Sequence, residues 1–173
     1  MKCIINGKLI LPDRVLEGKA IVFDRKIEAI VDPSELGRFG ELETIDAQGR
    51  YVSPGLVDVH IHGCGGDDTS DNKPGAIQRM SQMITQFGVT SWLPTSMTLP
   101  RKHIAKTFEM VREAKKASEE DPEAWGGAQV LGVNMEGPYI NAENKGAHVA
   151  EYIQAPDVEF TKQYADVIKL VTI

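Results

Sequence analysis

Two histidines separated by one residue, His60 and His62, stand at the end of an alternating apolar and polar segment. In a β-strand, residues two apart share one face, so Asp58, His60 and His62 would project together while the intervening apolar residues face the other way. Imidazole suits divalent transition metals, and active sites gather at the carboxyl ends of parallel strands. The pattern predicts a metal site, with ordinary hydrogen-bonded histidines as the alternative.

A second candidate ligand is Glu136, which directly follows an apolar segment and precedes Gly137-Pro138, a pair that predicts a sharp turn. A carboxylate at this strand end could complete a site with His60 and His62 and bridge two divalent ions. Cys64 continues the same two-residue spacing and could be a further ligand. However, the glycines around Cys64 favour a tight turn of the backbone beside a bound substrate.

Strand and helix patterns alternate in the part of the chain that would position these residues. Alternating or continuous apolar segments predict strands, and apolar residues three and four apart predict helices. This succession implies a parallel sheet with helices packed on it, an α/β fold. The predicted strands cover residues 56–62, 89–94, 129–135 and 167–173, and the predicted helices cover 74–87 and 100–118.

The first 52 residues have a different pattern, with short apolar segments separated by turns. Asn6-Gly7 lies between two such segments and is typical of a β-hairpin, and Asp24-Arg25 could form another turn. Residues 1–52 therefore predict a small β module with an antiparallel sheet.

Residues 53–173 form the second predicted domain, which holds about three and a half βα units. A (β/α)8 barrel needs about 250 residues, and the segment from Pro54 to Ile173 is about half as long. Either this is a small open sheet that stops on a strand, or it is the first part of a longer barrel. We favour the barrel, so the chain is expected to be truncated.

Composition limits the classes of partner. The chain of 173 residues carries 19 Lys and Arg against 25 Asp and Glu, a formal net charge of −6. This balance argues against nucleic acid or an anionic membrane as a partner and favours small molecules or protein. The two cysteines are far apart, and no apolar run reaches the roughly 20 residues of a spanning helix. We expect a cytoplasmic protein.

Three segments carry a resemblance to a known family: PGLVDVHIHGCGG at 54–66, GVTSWLPTSMT at 88–98 and LGVNMEGPYINAENKGAH at 131–148. Together they resemble N-acetylglucosamine-6-phosphate deacetylase of the metal-dependent amidohydrolase superfamily. The His-x-His pair by itself marks only the superfamily. The GCGG continuation and the EGP and KGAH segments are more specific to the deacetylase.

The resemblance implies a TIM-type (β/α)8 barrel preceded by a small β-sandwich module, and usually a homodimer. It implies that Glu136 binds the catalytic metal and that His60 and His62 bind a further ion, so one or two divalent cations are expected, with Zn, Fe, Mn and Co not distinguished. His148 and Gly137 are expected to bind the substrate. Asn134 stands where some members have His, which leaves its neighbouring contacts open.

The reaction implied by the resemblance is hydrolysis of the acetamide of N-acetylglucosamine 6-phosphate, which gives glucosamine 6-phosphate and acetate. The family's proton-transfer Asp and two further metal-binding His residues lie on later barrel strands, beyond Ile173. The fragment alone is therefore expected to be inactive. Two alternatives stay open: another amidohydrolase, such as a cyclic amidase or a deaminase, and a short metal-binding protein without catalysis.

Overall fold

The computed structural model describes residues 1–24 and 26–173, and its backbone contacts divide the chain into two compact units, Met1–Pro54 and Gly55–Ile173. The predicted turn at Asp24-Arg25 includes Arg25, which lies outside the described residues. The strands of the first unit are β1 (Lys2–Ile5), β2 (Lys8–Ile10), β3 (Val15–Leu16), β4 (Ala20–Phe23), β5 (Ile27–Val31), β6 (Glu43–Asp46) and β7 (Tyr51–Val52).

These strands form a four-stranded sheet, in the order β5-β4-β1-β6, and a three-stranded sheet, in the order β3-β2-β7. The prediction of a hairpin at Asn6-Gly7 was wrong, because β1 and β2 belong to different sheets. The sheets are also not purely antiparallel, since β1 pairs in parallel with β6 and β2 with β7. Two parallel chain segments thus cross together from one sheet to the other.

The crossing explains the residue types that resembled a hairpin turn. Asn6 has a φ of 55°, and its carbonyl accepts a hydrogen bond from the Gly49 amide at 2.7 Å. A Cβ atom on Gly7 would lie 2.7 Å from a methyl group of Val52. The left-handed backbone of Asn6 and the missing side chain of Gly7 therefore let the two crossing segments approach each other closely.

The 3-10 helix Pro33–Phe39 packs Leu36 and Phe39 against the small core around Cys3, Val22 and Val31.

The second unit has the predicted alternation of strands and helices. Its strands are β8 (Leu56–Ile61), β9 (Gly63–Cys64), β10 (Asp67–Asp68), β11 (Val89–Pro94), β12 (Gln129–Val130), β13 (Val133–Glu136) and β14 (Ile168–Thr172). Its helices are α1 (Ala76–Ile84), α2 (Arg101–Glu120), α3 (Pro122–Trp125) and α4 (Val158–Lys162).

Strands β8, β11 and β12 pair in parallel, β13 and β14 pair in parallel, and a bridge between Thr95 and Asn134 connects the two groups. The prediction of a parallel sheet is therefore confirmed. The predicted strand 129–135 is divided into β12 and β13 at Gly132, which has a φ of 149°. A Cβ atom there would lie 2.3 Å from the Val167 carbonyl oxygen, so close approach of β14 requires glycine.

Helices α1 and α2 cover one face of this sheet. Met80 of α1, Trp92 of β11 and Phe108 of α2 are fully buried. The apolar face predicted for the second helix is buried as expected, since Ile104 and Val111 join the same core. The helices thereby bury the apolar side chains on this face of the parallel strands. Polar side chains can then lie at the carboxyl ends of the strands.

The apolar face of β8 is largely uncovered in this chain. Val57 and Val59 are exposed, and only Ile61 packs against the core. β8 is also the edge strand of its three-stranded sheet. Among residues 1–24 and 26–173, no helix has both the length and the apolar character needed to cross a membrane.

Candidate metal centre

The ends of two parallel strands bring the predicted ligands together. His60 lies in β8, His62 directly follows that strand, and Glu136 is the last residue of β13. Because parallel strands present their carboxyl ends at one edge of a sheet, residues far apart in the chain meet there.

The contacts within this group are short. The Glu136 Oε2 atom lies 2.8 Å from His60 Nε2 and 2.9 Å from His62 Nε2. The two imidazole rings are 5.2 Å apart between centroids and are inclined at 72°. One possible ligand atom from each of the three residues lies within 4.8 Å of the others. The structure therefore places all three predicted metal ligands in one cluster.

A main-chain contact orients the His62 ring. Its Nδ1 atom lies 3.2 Å from the Thr95 carbonyl oxygen, which can only accept a hydrogen bond. The proton of a neutral imidazole must then be on Nδ1, which leaves the Nε2 lone pair directed at Glu136. Two lone pairs at 2.9 Å repel each other unless a proton or a cation lies between them. This donor set fits a divalent metal, and a ligating histidine commonly has its other nitrogen bonded to a carbonyl.

Electrostatics keep the carboxylate of Glu136 charged. Partial burial acts to raise the pKa of Glu136, but the hydrogen bond with His60 and the electrostatic interactions with His60, His62 and His148 together outweigh this effect. The net result is a pKa below the ordinary glutamate value. An ionised carboxylate is the form that a metal ion requires from this residue.

His148 approaches the same carboxylate from another side. Its Nε2 atom lies 3.6 Å from Glu136 Oε1, beyond hydrogen-bond distance, and its side chain is buried. Its Nδ1 atom accepts the main-chain N–H of Thr98 at 3.1 Å. In neutral His148 the proton must therefore be on Nε2, the opposite arrangement to His62. The fold thus makes His62 Nε2 a candidate ligand and His148 Nε2 a candidate hydrogen-bond donor.

Gly137 follows the cluster, with a φ of 68° and a cis peptide bond to Pro138. A Cβ atom on this residue would lie only 1.9 Å from the hydroxyl oxygen of Thr98. The geometry thus requires glycine for close packing against Thr98. The role of Gly137 in substrate binding remains a prediction, as do the ligand roles of the other residues.

Cys64 is not part of the cluster. Its thiol lies 3.9 Å from the Met80 carbonyl oxygen and packs against the hydrophobic core. Burial is the main cause that raises the pKa of Cys64, with smaller contributions from Asp67 and Asp58. A protonated thiol is a poor metal ligand. The turn at Gly65-Gly66, which joins the antiparallel strands β9 and β10, agrees with the interpretation of these glycines as turn residues.

The sequence interpretation assigned no role to Thr95 and Thr98, which orient the two histidines through their main-chain groups. Asn134 was noted, but its contacts were left open. In the structure its side chain is fully buried and donates to the Val59 carbonyl at 3.0 Å. A signal for the threonines was present, because a polar segment directly follows the buried strand β11. Main-chain groups are almost the same in every residue type. The sequence therefore could not show which of them would form hydrogen bonds with the two histidines.

Comparison with known proteins shows which protein family the chain is similar to. Residues 43–127 match the model of a family described as "Amidohydrolase family". The chain is 32% identical over 180 residues to N-acetylglucosamine-6-phosphate deacetylase of Haemophilus influenzae, an alignment that covers 100% of this chain and 43% of the relative. It is also 35% identical over 109 residues to N-acetylgalactosamine-6-phosphate deacetylase of Escherichia coli O157:H7, with 63% of this chain and 27% of the relative covered.

The crystal structure of N-acetylglucosamine-6-phosphate deacetylase from Pasteurella multocida superposes with a TM-score of 0.86 at 32% identity, covering 99% of this chain and 44% of that one. The predicted fold, the first strands of a TIM-type barrel preceded by a small β module, is thus confirmed. The chain spans less than half the length of these relatives. It belongs to the amidohydrolase superfamily and corresponds to the N-terminal portion of its N-acetylglucosamine-6-phosphate deacetylases.

Proposed function

We propose that the intact protein is a metal-dependent amide hydrolase that converts N-acetylglucosamine 6-phosphate to glucosamine 6-phosphate and acetate. The observation that carries this proposal is the meeting of His60, His62 and Glu136 at the carboxyl ends of β8 and β13. The relatives named N-acetylglucosamine-6-phosphate deacetylase support the choice of reaction.

In this proposal, Glu136, His60 and His62 hold one or two divalent cations. A bound divalent metal supplies a water of lowered pKa and polarises the amide carbonyl. Zn, Fe, Mn and Co all accept imidazole and carboxylate ligands, so the donor set leaves the choice among them open. The lowered pKa of Glu136 and the orientation of His62 by Thr95 prepare both side chains for coordination before any ion arrives.

His148 is proposed to bind the substrate rather than the metal. The amide of Thr98 occupies its Nδ1 atom, so its Nε2–H can donate to a substrate oxygen held beside Glu136. A donor fixed in a buried position stabilises negative charge that develops on such an oxygen during amide hydrolysis. Gly137 is proposed to line the same space, because the absence of a side chain lets the backbone approach a ligand closely.

N-acetylgalactosamine 6-phosphate is the second candidate substrate. A relative named N-acetylgalactosamine-6-phosphate deacetylase shares 35% identity with this chain over 109 residues. The two sugars differ only in the configuration of one hydroxyl group, and the reacting acetamide is the same. Discrimination between them depends on contacts with that hydroxyl, whereas the proposed chemistry is common to both.

Two further parts of the proposal are that the intact protein is a homodimer, as the family resemblance implies, and that it acts in the cytoplasm, as the two widely separated cysteines favour. The excess of acidic over basic residues argues against a nucleic acid partner. The molar mass of the intact protein in solution, measured by light scattering after size-exclusion chromatography, tests the homodimer.

The decisive experiment measures acetate release from both sugar phosphates by the protein expressed to the full extent of its reading frame and loaded with Zn²⁺, Mn²⁺, Fe²⁺ or Co²⁺. The Glu136→Gln variant, which keeps the shape but removes the charge of the carboxylate, should lose the activity. A folded, metal-loaded protein that releases no acetate would contradict the proposal. It would favour metal binding without catalysis, whereas cleavage of cyclic amides would favour the other amidohydrolase alternative.

A further inference from the structure

Strand β8, which contains His60 and leads directly into His62, has a β-bulge beside His60. Trp92 of β11 pairs with Asp58, and Pro94, two residues later, pairs with Ile61, three residues later. One extra residue is thus accommodated in β8 around Val59 and His60. Bulges bend the strand, increase its local twist and redirect side chains next to active sites.

Side chains bind the main-chain groups of this bulge. The His60 N–H donates to the Asp58 carboxylate at 3.0 Å, and the Ile61 N–H donates to the Thr95 hydroxyl at 3.0 Å. The Val59 carbonyl accepts a hydrogen bond from the Asn134 amide at 3.0 Å. Three side chains, from β8, from the end of β11 and from β13, therefore determine the course of the backbone on both sides of His60.

Asn134 is the residue of this set whose side chain forms hydrogen bonds with two other strands. It is fully buried, and its side-chain oxygen accepts a hydrogen bond from the Thr172 hydroxyl of β14 at 3.3 Å. Because the Val59 carbonyl can only accept, the amide nitrogen must face β8 and the amide oxygen must face β14. One side chain thus connects β8, β13 and β14 in a single orientation.

We propose that Asn134 and Asp58 are positioning residues of the metal centre. They hold the bulge of β8 in the shape that aims the His60 imidazole at Glu136, and they contact neither the metal nor the substrate. Without the Asn134 donor, the Val59 carbonyl loses this bond and the bulge can relax toward regular pairing with β11. The His60 ring then moves relative to Glu136, which carries the other end of the 2.8 Å contact.

The inference rests on the metal-binding part of the proposed function and is independent of the reaction catalysed. It is tested on the metal-free protein of full reading-frame length, with Co²⁺ alone as the probe, followed by visible absorption and calorimetric titration. Removing an outer partner of a metal ligand typically weakens metal affinity by about 10–100-fold, so Asn134→Leu and Asp58→Ala should raise the dissociation constant for Co²⁺ in that range. Both should also alter the absorption spectrum of bound Co²⁺.

Two further variants separate positioning from general stability. Asp58→Asn keeps an oxygen acceptor for the His60 N–H, so it should restore Co²⁺ affinity close to that of the unmodified protein. Ser81→Ala removes the buried hydrogen bond between the Trp92 indole and Ser81, neither of which belongs to the cluster of His60, His62 and Glu136. It should lower the thermal midpoint without changing Co²⁺ affinity or spectrum.

The outcomes are distinct. If Asn134→Leu and Asp58→Ala bind Co²⁺ like the unmodified protein while their thermal midpoints fall as in Ser81→Ala, the two residues are only structural and the inference is overturned. If Asn134→Leu does not fold, the comparison of Asp58→Ala with Asp58→Asn decides. No Co²⁺ binding by the unmodified protein would overturn the metal centre and this inference together. Tight binding without acetate release would overturn only the deacetylase proposal.

Discussion

Nδ1 of His148 accepts the main-chain N–H of Thr98 at 3.1 Å, and this one contact fixes where the proton of the His148 ring resides. His62, a histidine of the candidate metal cluster, faces a carbonyl instead and takes the opposite tautomer in its neutral form. The backbone at the end of β11 therefore separates two chemically identical side chains into a candidate donor and a candidate ligand. The roles of the two ring nitrogens of His148 can be tested separately by substitution.

Substitution of His148 by Asn and by Gln should separate the two ring nitrogens. Asn keeps an acceptor near the Nδ1 position but lacks a donor at the Nε2 position, whereas Gln keeps the donor and loses the acceptor. Loss of a donor to a developing oxyanion costs about 10²–10³ in kcat, so His148→Asn should fall in that range. His148→Gln should retain more activity. The measurement is steady-state acetate release by the intact protein.

A reversed order, with Asn more active than Gln, would show that orientation by Thr98 matters more than donation to the substrate. Equal, unchanged rates in both variants would remove His148 from the substrate site.

Metal binding should stabilise the fold through His62. A ligand that binds only the folded state stabilises it by about 2.7 kcal/mol at 100 times its dissociation constant. Zn²⁺ should therefore raise the thermal midpoint of the unmodified protein, and His62→Ala should lose most of this increase. His103→Ala is the matched control, because His103 is bonded to the Ser70 carbonyl and lies outside the ligand cluster. An equal Zn²⁺ effect in both variants would contradict the assigned site.

Gly137 and Gly146 provide a test of close packing beside the cluster. Both have positive φ values, of 68° and 58°, so alanine is disfavoured at both by the backbone conformation. Only at Gly137 would the new methyl group meet another atom, the Thr98 hydroxyl. We expect Gly146→Ala to cost about 1 kcal/mol of unfolding free energy and Gly137→Ala to cost about 1–3 kcal/mol more. Chemical denaturation of the two variants measures the difference.

If the two glycine variants are equally stable, the loop after β13 can move away from Thr98 at little cost. The contact would then not constrain Glu136.

Acid sensitivity should include a contribution from Asp166. Hydrogen bonds from Arg112, at 2.7 and 2.8 Å, are the main cause that holds the pKa of Asp166 below its usual value. A carboxylate with a lowered folded-state pKa contributes stability above its unfolded-state pKa of about 3.9 and loses that contribution as the pH falls through the folded-state value. Asp166→Asn should therefore flatten the decline of stability below about pH 4.

Urea midpoints measured from neutral to acid pH test this expectation. Glu28→Gln is the control, since Glu28 is an exposed residue of β5 without an ion pair to another described residue. A pH profile of Asp166→Asn parallel to that of the unmodified protein would show that the exposed pair contributes no measurable stability.

Local sequence patterns predicted the second unit well. The spacing of apolar residues identified the parallel strands and the buried face of α2. The reason is that residues on one buried face recur every second position in a strand and every third or fourth position in a helix. The predicted ligands also came together, since strand ends of a parallel sheet share one edge. Patterns failed where the partner of a segment was distant, as at Asn6-Gly7, where the turn residues serve a crossing between two sheets instead of a hairpin.

The sequence by itself determined the residue types, the α/β succession and the position of His60, His62 and Glu136 at strand ends. Only the tertiary structure decided the histidine tautomers, the bulge in β8 and the single orientation of Asn134. The physical reason is that these features depend on hydrogen bonds with main-chain groups of other strands. A main-chain carbonyl or amide is the same in every residue, so its role becomes visible only when folding places it beside a particular side chain.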